Sequence, residues 1–268
     1  MNSWFPAYLQ ALSWVKEAGE HIRGEMRKPL SVQTKSSRRD LVTQLDVATE
    51  KFLTARLREH YPTHCICGEE SQSAGESEKL SDLSGAVWFI DPIDGTMNFV
   101  KQHRDFGIML ALYVDGQPQI GIVYDVMRDE LYSALSGQGA YLNQQRLPLL
   151  PQVSLQDSLI IIEGGAIRAG DKLTLAALAQ CLSARMVGAS AIVTGMLAQA
   201  SVGAFITRQQ MPWDAAAPMA ILTEIGAKFS QPDGSAVTLL KGEPYLMALP
   251  GIHEELLSLY HYLSEKAD

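Results

Sequence analysis

The stretch Trp88-Phe89-Ile90-Asp91-Pro92-Ile93-Asp94-Gly95-Thr96-Met97-Asn98-Phe99 decides how the rest of this 268-residue chain is read. Val87–Ile90 is an apolar run that predicts a buried strand. Pro92 has no N–H to give to a ladder, so the strand is expected to stop at Asp91. Asp91 and Asp94 then stand together at the strand's mouth. Gly95 permits a tight turn and a close approach of backbone to a ligand. Thr96-Met97-Asn98-Phe99 opens a helix with its first N–H groups free. Two carboxylates, a bare turn and a helix N-terminus in one place suit a divalent cation and a phosphate. An isolated Asp-x-x-Asp pair is more simply explained by capping and solvation of a turn. Here every position of Asp-Pro-Ile-Asp-Gly-Thr has a separate task.

Composition narrows the class. With 47% hydrophobic and 19% charged residues the chain is an ordinary globular protein, long enough to bury a large core. A net charge of −8 argues against nucleic acid or an anionic membrane as the main partner. An acidic protein still binds phosphate where a cation reverses the local field. Cys65, Cys67 and Cys181 make no disulfide framework and read as small buried hydrophobes in a reduced compartment. The six histidines form no ligand pair, which disfavours a catalytic zinc. No signal-peptide pattern and no apolar run of membrane length is present, so the expected location is cytoplasmic.

Along the chain, Phe5, Tyr8, Leu9, Leu12, Val15, Ile22 and Met26 predict an amphipathic helix over 4–28. Residues 31–42 read as a mobile polar loop carrying Lys35. A second helix runs from Thr43 to about His60, with Phe52, Leu53 and Leu57 inward and Asp46 in its first turn. His64–Cys67 is a strand ending at Gly68-Glu69-Glu70-Ser71, and 71–85 is a surface loop. Residues 106–143 form an antiparallel meander, so the first half is helices on a mainly antiparallel sheet. A soft boundary near 148–156 separates an N-terminal α+β half (1–150) from a C-terminal α/β half (151–268). That second half alternates: strand 158–162, helix 171–182, strand 184–187, helix 191–201, strand 203–207, helix 214–226, strands 228–230 and 245–249, helix 251–265. The small-residue turn Gly188-Ala189-Ser190 suits backbone contact with a ligand, and Asp214 begins the helix after Pro212-Trp213.

Glu70, Asp91, Asp94 and Asp214 each lie at the end of an element, where α/β layers build sites. The segments Lys35–Asp46, Gly68–Ser71, Trp88–Val100 and Pro212–Ala216, in this order, closely resemble the inositol monophosphatase family of magnesium-dependent, lithium-sensitive phosphomonoesterases. The resemblance covers nearly the whole chain. It implies a layered αβαβα sandwich, usually dimeric. It implies that Glu70, Asp91, the Ile93 carbonyl, Asp94 and Asp214 bind magnesium, with Glu70 counted in the catalytic set. Asp46 and Thr96 are implied to orient and deprotonate the attacking water, and the Gly95 and Thr96 N–H groups to hold phosphate. Asp94, Ala189, Ser190 and Asp214 are implied to contact the leaving alcohol, and Lys35 to ride a loop that closes over the metals.

One departure bears on substrate. The best-known members carry a glutamate seven residues before the Trp-Asp aspartate, reaching the inositol hydroxyls; here that position is Thr207, a neutral and weaker partner for a polyol. The resemblance makes inositol 1-phosphate the expected substrate, and this departure keeps fructose 1,6-bisphosphate, NADP or a 3′-phosphonucleotide open as alternatives under the same chemistry. A regulatory scaffold that binds RNA or protein is the reading from a different class. The intact acids and the acidic net charge oppose it.

Overall fold

A computed structural model describes residues 2–75 and 80–266. The first half runs α1 (Phe5–Glu25), β1 (Val32–Thr34), β2 (Leu41–Thr43), α2 (Gln44–His60), β3 (Cys65–Gly68), α3 (Glu69–Ser73), β4 (Ala86–Asp94), α4 (Thr96–Gln102), β5 (Gly107–Val114), β6 (Gln117–Asp125), β7 (Glu130–Leu135), β8 (Ala140–Leu142) and β9 (Gln145–Arg146). The second runs β10 (Leu159–Ile162), α5 (Gly164–Arg168), α6 (Lys172–Gln180), β11 (Ser183–Arg185), α7 (Ser190–Ala198), β12 (Ala204–Gln210), α8 (Pro212–Thr223), β13 (Lys228–Ser230), β14 (Glu243–Ala248) and α9 (Ile252–Glu265).

Strands β3 to β9 form a seven-stranded sheet in sequence order, antiparallel except where β3 pairs parallel to β4. The second sheet has the order β11-β10-β12-β14-β13, parallel across its first three strands. Successive residues of β4 and β5 point to opposite faces, and both faces are covered. Trp88, Ile90, Ile108 and Leu110 pack with the α1 and α2 residues Val15, Ile22 and Leu53. Phe89, Met109 and Ala111 pack with the α7 and α8 residues Val193, Ala216 and Ile221, and with Ile161 and Phe205 of the second sheet. On the far side Ile160 and Ile206 meet Leu173 and Leu256 of α6 and α9. Five layers result, helix–sheet–helix–sheet–helix, as the sequence resemblance implies. Burial on both faces explains why these strands read as continuous apolar runs. No described helix is long and apolar enough to cross a membrane.

The central layer carries Asp214. A Cβ on Gly121 would meet Ala220 Cβ at 2.7 Å and the Ala217 carbonyl at 2.9 Å. Glycine in β6 and alanines in α8 thus let helix and sheet approach closely.

Several local expectations are corrected. β4 does not stop at Asp91 but runs through Pro92 to Asp94. Asp91 pairs Met109 and Asp94 pairs Gly107, so Pro92 and Ile93 bulge opposite Ile108 alone. Proline is tolerated there because a bulge leaves ladder groups unpaired. The polar segment after α1 is a hairpin, with Val32–Thr34 paired to Leu41–Thr43. α1 ends at Glu25, ahead of Pro29, and Phe52 is only partly buried. The expected surface loop at 71–85 begins inside α3, and its residues 76–79 lie outside the described residues. Cys67 is buried but Cys65 is exposed, and both are unpaired thiols.

Candidate active site

The β4 bulge and the turn after it build one wall of the site. Asp91, Asp94 and, from α8, Asp214 each offer a carboxylate oxygen, and these oxygens lie within 4.8 Å of one another. Asp91 and Asp94 are buried and Asp214 partly so. They open on a cavity of about 630 Å³ that also touches Glu69, Thr96 and Gly188. Burial raises all three acids, and mutual charge adds to it for Asp91 and Asp214. Asp91 is held well above the carboxylate range by burial and then by the charges of Glu69, Asp94 and Asp214. Asp214 is raised by burial, Asp94 and Glu69. Burial pushes Asp94 up to about 7, against the backbone N–H bonds of Ala191 and Ser190, which favour its anion. Asp91 Oδ1 is buried with no hydrogen-bond partner among the described residues.

Gly95 takes φ +84 at the start of α4, a left-handed conformation that glycine adopts without strain. A Cβ there would stand 2.7 Å from Ala189 Cβ, so the two turns are in contact. Asn98 fastens them further, donating to the Asp105 and Val187 carbonyls at 2.9 Å each. The Ala191 N–H, in the first turn of α7, donates to Asp94 Oδ2 at 2.6 Å. The Ala189-Ser190 turn is thereby held against the acid cluster. Ser190 Oγ accepts from Gln210 Nε2 at 2.5 Å.

Asp46 sits in a capping box at the start of α2. Its Oδ2 accepts from the Thr43 N–H at 2.9 Å and the Thr43 hydroxyl at 2.5 Å. The Thr96 hydroxyl lies 3.1 Å from Asp46 Oδ1 and 3.0 Å from the Ile93 carbonyl. Asp46 is fully buried, which pushes its pKa up to about 6 despite the Thr43 bonds. The structure thus joins Asp46, Ile93 and Thr96 in one chain of contacts.

Two of the expected site residues do not line the acid cavity. Of the adjacent acids at the start of α3, Glu69 lines the acid cavity, whereas Glu70 faces a neighbouring hollow beside Lys35 and Ser71. It is Glu69 whose charge acts on Asp91, Asp94 and Asp214. Glu50 on α2 fixes this orientation by accepting the Glu70 and Ser71 N–H groups at 2.7 and 2.8 Å. Lys35 reaches both acids, 2.9 Å from Glu69 and 2.7 Å from Glu70. Burial works against its ammonium, but the two carboxylates outweigh burial and hold its proton above the ordinary lysine range. Glu70 is raised to about 7, by burial first and with Lys35 opposing. The second is Thr207. It is 2% exposed, and its hydroxyl accepts from the Gln209 N–H and donates to the Gln209 carbonyl, so it does not open on the acid cavity. Gln209 does.

The inositol monophosphatase family model matches residues 6–265. An inositol-1-monophosphatase of Bacillus subtilis is 36% identical over 264 residues, covering 97% of this chain and 98% of that protein. Among solved structures, SaIMPase-II bound to inositol monophosphate is 32% identical, covers 98% of this chain and 96% of its own, and has a TM-score of 0.86. An IMPase/NADP phosphatase complexed with Mg2+ and phosphate is 29% identical, covers 92% of each chain, and has a TM-score of 0.83. Matched along nearly its whole length in sequence and in layered architecture, this chain is a phosphatase and belongs to the inositol monophosphatase family.

Proposed function

We propose that this phosphatase hydrolyses a small phosphate monoester, myo-inositol 1-phosphate, with magnesium held by Glu69, Asp91, Asp94, Asp214 and the Ile93 carbonyl. The observation that carries the reading is the convergence of three carboxylates within 4.8 Å in a protein-walled cavity. Like charges at that distance, largely withdrawn from water, are unfavourable without a counter-charge. The raised acids and the orphaned Asp91 oxygen fit a bound cation. An all-oxygen donor set suits magnesium rather than a soft metal. When bound, magnesium supplies the positive charge that offsets the phosphate dianion and the departing alkoxide.

The chain's own groups do the rest. The Gly95 and Thr96 N–H groups hold the phosphate at the left-handed turn. The Thr96 hydroxyl donates to Asp46, which leaves its lone pairs to orient a water for attack. The water's proton passes to Thr96 as the Thr96 proton passes to Asp46. With a pKa of about 6, Asp46 is ionised and ready to accept at neutral pH. The Thr43 bonds keep its second oxygen occupied, so one oxygen faces the reaction. Asp94, the Ala189-Ser190 turn and Asp214 border the leaving alcohol. The inositol monophosphate seen in SaIMPase-II, and the Mg2+ and phosphate seen in the IMPase/NADP phosphatase, support the reading by similarity.

The test is phosphate release by purified protein with magnesium, comparing inositol 1-phosphate, fructose 1,6-bisphosphate, NADP and a 3′-phosphonucleotide. Highest kcat/KM on inositol 1-phosphate, abolished by EDTA, supports the proposal. A clear preference for another ester moves the substrate and keeps the chemistry. No magnesium-dependent release from any of them overturns both.

A further inference from the structure

We infer that Gln209 is the specificity residue that hydrogen-bonds the hydroxyls of the leaving alcohol; this rests on the phosphomonoesterase reading above and deepens it. Phe205 faces the layer between the sheets and Ile206 the outer layer, so alternation turns Thr207 toward the site. Its hydroxyl is nevertheless spent on the backbone of Gln209, at 3.2 Å to the N–H and 3.1 Å to the carbonyl. The position that sequence spacing marks for substrate contact is sealed.

The ladder shows why. Thr207 pairs Tyr245 and Gln210 pairs Glu243, so Arg208 and Gln209 stand opposite Pro244 alone. Pro244 has no N–H to pair, and the strand bulges there. A bulge re-aims the side chains that follow it. Here it swings Gln209 into the acid cavity, on the wall shared with Gly188, Met211 and Trp213. Gly188 abuts the Gly95 turn given above to the phosphate and leads into the Ala189-Ser190 turn given to the leaving alcohol, and Asp214 lines the same cavity, so Gln209 shares that cavity with groups that border the alcohol. Gln210 is spent on Ser190. Gln209 is exposed, its amide nitrogen reaches only the Met211 thioether at 4.0 Å, and its amide oxygen accepts from no described residue.

The chemistry of an amide suits the task. It donates and accepts at once, so it can meet a polyol hydroxyl in either sense. It is neutral, so it adds nothing to the charge of Glu69, Asp91, Asp94 and Asp214. A carboxylate at the same wall would bond hydroxyls more strongly but add a fifth negative charge to the cavity.

The test measures kcat and KM with magnesium for Gln209→Ala and Gln209→Glu on inositol 1-phosphate and on p-nitrophenyl phosphate, whose leaving group has no hydroxyls beyond the reacting oxygen. Thermal melts confirm folding. Loss of one or two hydrogen bonds is expected to raise the Gln209→Ala KM for inositol 1-phosphate about tenfold. Its kcat stays within about twofold, and its KM for p-nitrophenyl phosphate is unchanged. Gln209→Glu, which keeps the acceptor, holds KM for inositol 1-phosphate within about threefold of wild type. Active wild type with an unchanged Gln209→Ala variant, or equal losses on both esters, overturns this inference alone. Wild type that releases no phosphate from inositol 1-phosphate overturns the substrate reading and this inference with it.

Discussion

Replacing Asp94 by asparagine should abolish turnover and yet make the metal-free protein more stable. Asp94 is buried among acids, and its pKa is raised from 3.8 to about 7. A folded-state pKa above the unfolded value means that the folded protein binds the proton more tightly. Stability is therefore lost as pH rises from about 4 through 7, and the full cost applies above pH 7. Three pH units at about 1.4 kcal/mol each give roughly 4 kcal/mol. Asparagine removes the charge but keeps an oxygen for the Ala191 N–H, which stands 2.6 Å from Asp94 Oδ2. Its amide hydrogens need new partners, so the net gain is set at about 2–4 kcal/mol. For a chain of this size that is about 4–7 °C in Tm. The assay is thermal melting of wild type and Asp94→Asn in EDTA from pH 4.5 to 8.5, repeated with magnesium. The gap should open between pH 4 and 7 in EDTA. Magnesium should raise the wild-type Tm and leave the variant nearly unmoved. An asparagine variant that is no more stable at pH 8 without metal refutes the electrostatic account. One that magnesium still stabilises refutes the placement of Asp94 among the ligands.

The other predictions concern the proton path and the lysine over the acids. Asp46→Asn is expected to lower kcat by about 10²–10⁴ with KM within about threefold, because it removes the proton acceptor and not a binding group. In wild type, kcat/KM should rise through about pH 6 as Asp46 ionises, and that limb should vanish in the variant; a limb that persists assigns it to another group. Lys35→Gln leaves Glu69 and Glu70 without their shared cation. The metal-free Tm is expected to fall by a few degrees and the magnesium-induced rise to grow, as calorimetry or melting would show. Equal values in both conditions would mean that Lys35 does not stand in for metal charge.

How much of this was legible in the sequence follows from the range of the interactions. The buried run before Asp91 and the alternation after residue 158 are local patterns, and both became strands and helices in the expected order, apart from the short helix α5, which the alternation did not show. The Asp-Pro-Ile-Asp-Gly-Thr turn was readable because each residue has its own constraint. The continuation of β4 past Pro92 was not, since it depends on pairing with Gly107 and Met109. The hairpin that carries Lys35 has an exposed first strand and therefore no burial period to read. Glu69 and Glu70 are identical in type and adjacent, so local pattern cannot choose between them. The choice is made by Glu50, twenty residues away, which fixes how α3 starts. Thr207 has the expected spacing from Asp214, but its hydroxyl is taken up by the Gln209 backbone at the bulge that follows it. In both cases the direction of the side chain is set by contacts that residue spacing does not show.

The most direct measurement of the central claim is a crystal structure of the protein soaked with Mn2+ and phosphate, read by anomalous scattering. Manganese shares magnesium's preference for oxygen ligands and is visible by its anomalous signal. The account predicts manganese bound by Glu69, Asp91, Asp94 and Asp214, with Lys35 displaced from Glu69 and phosphate against the Gly95-Thr96 turn. Manganese on Glu70 with Glu69 turned to solvent, or no metal between Asp91 and Asp214, would contradict it.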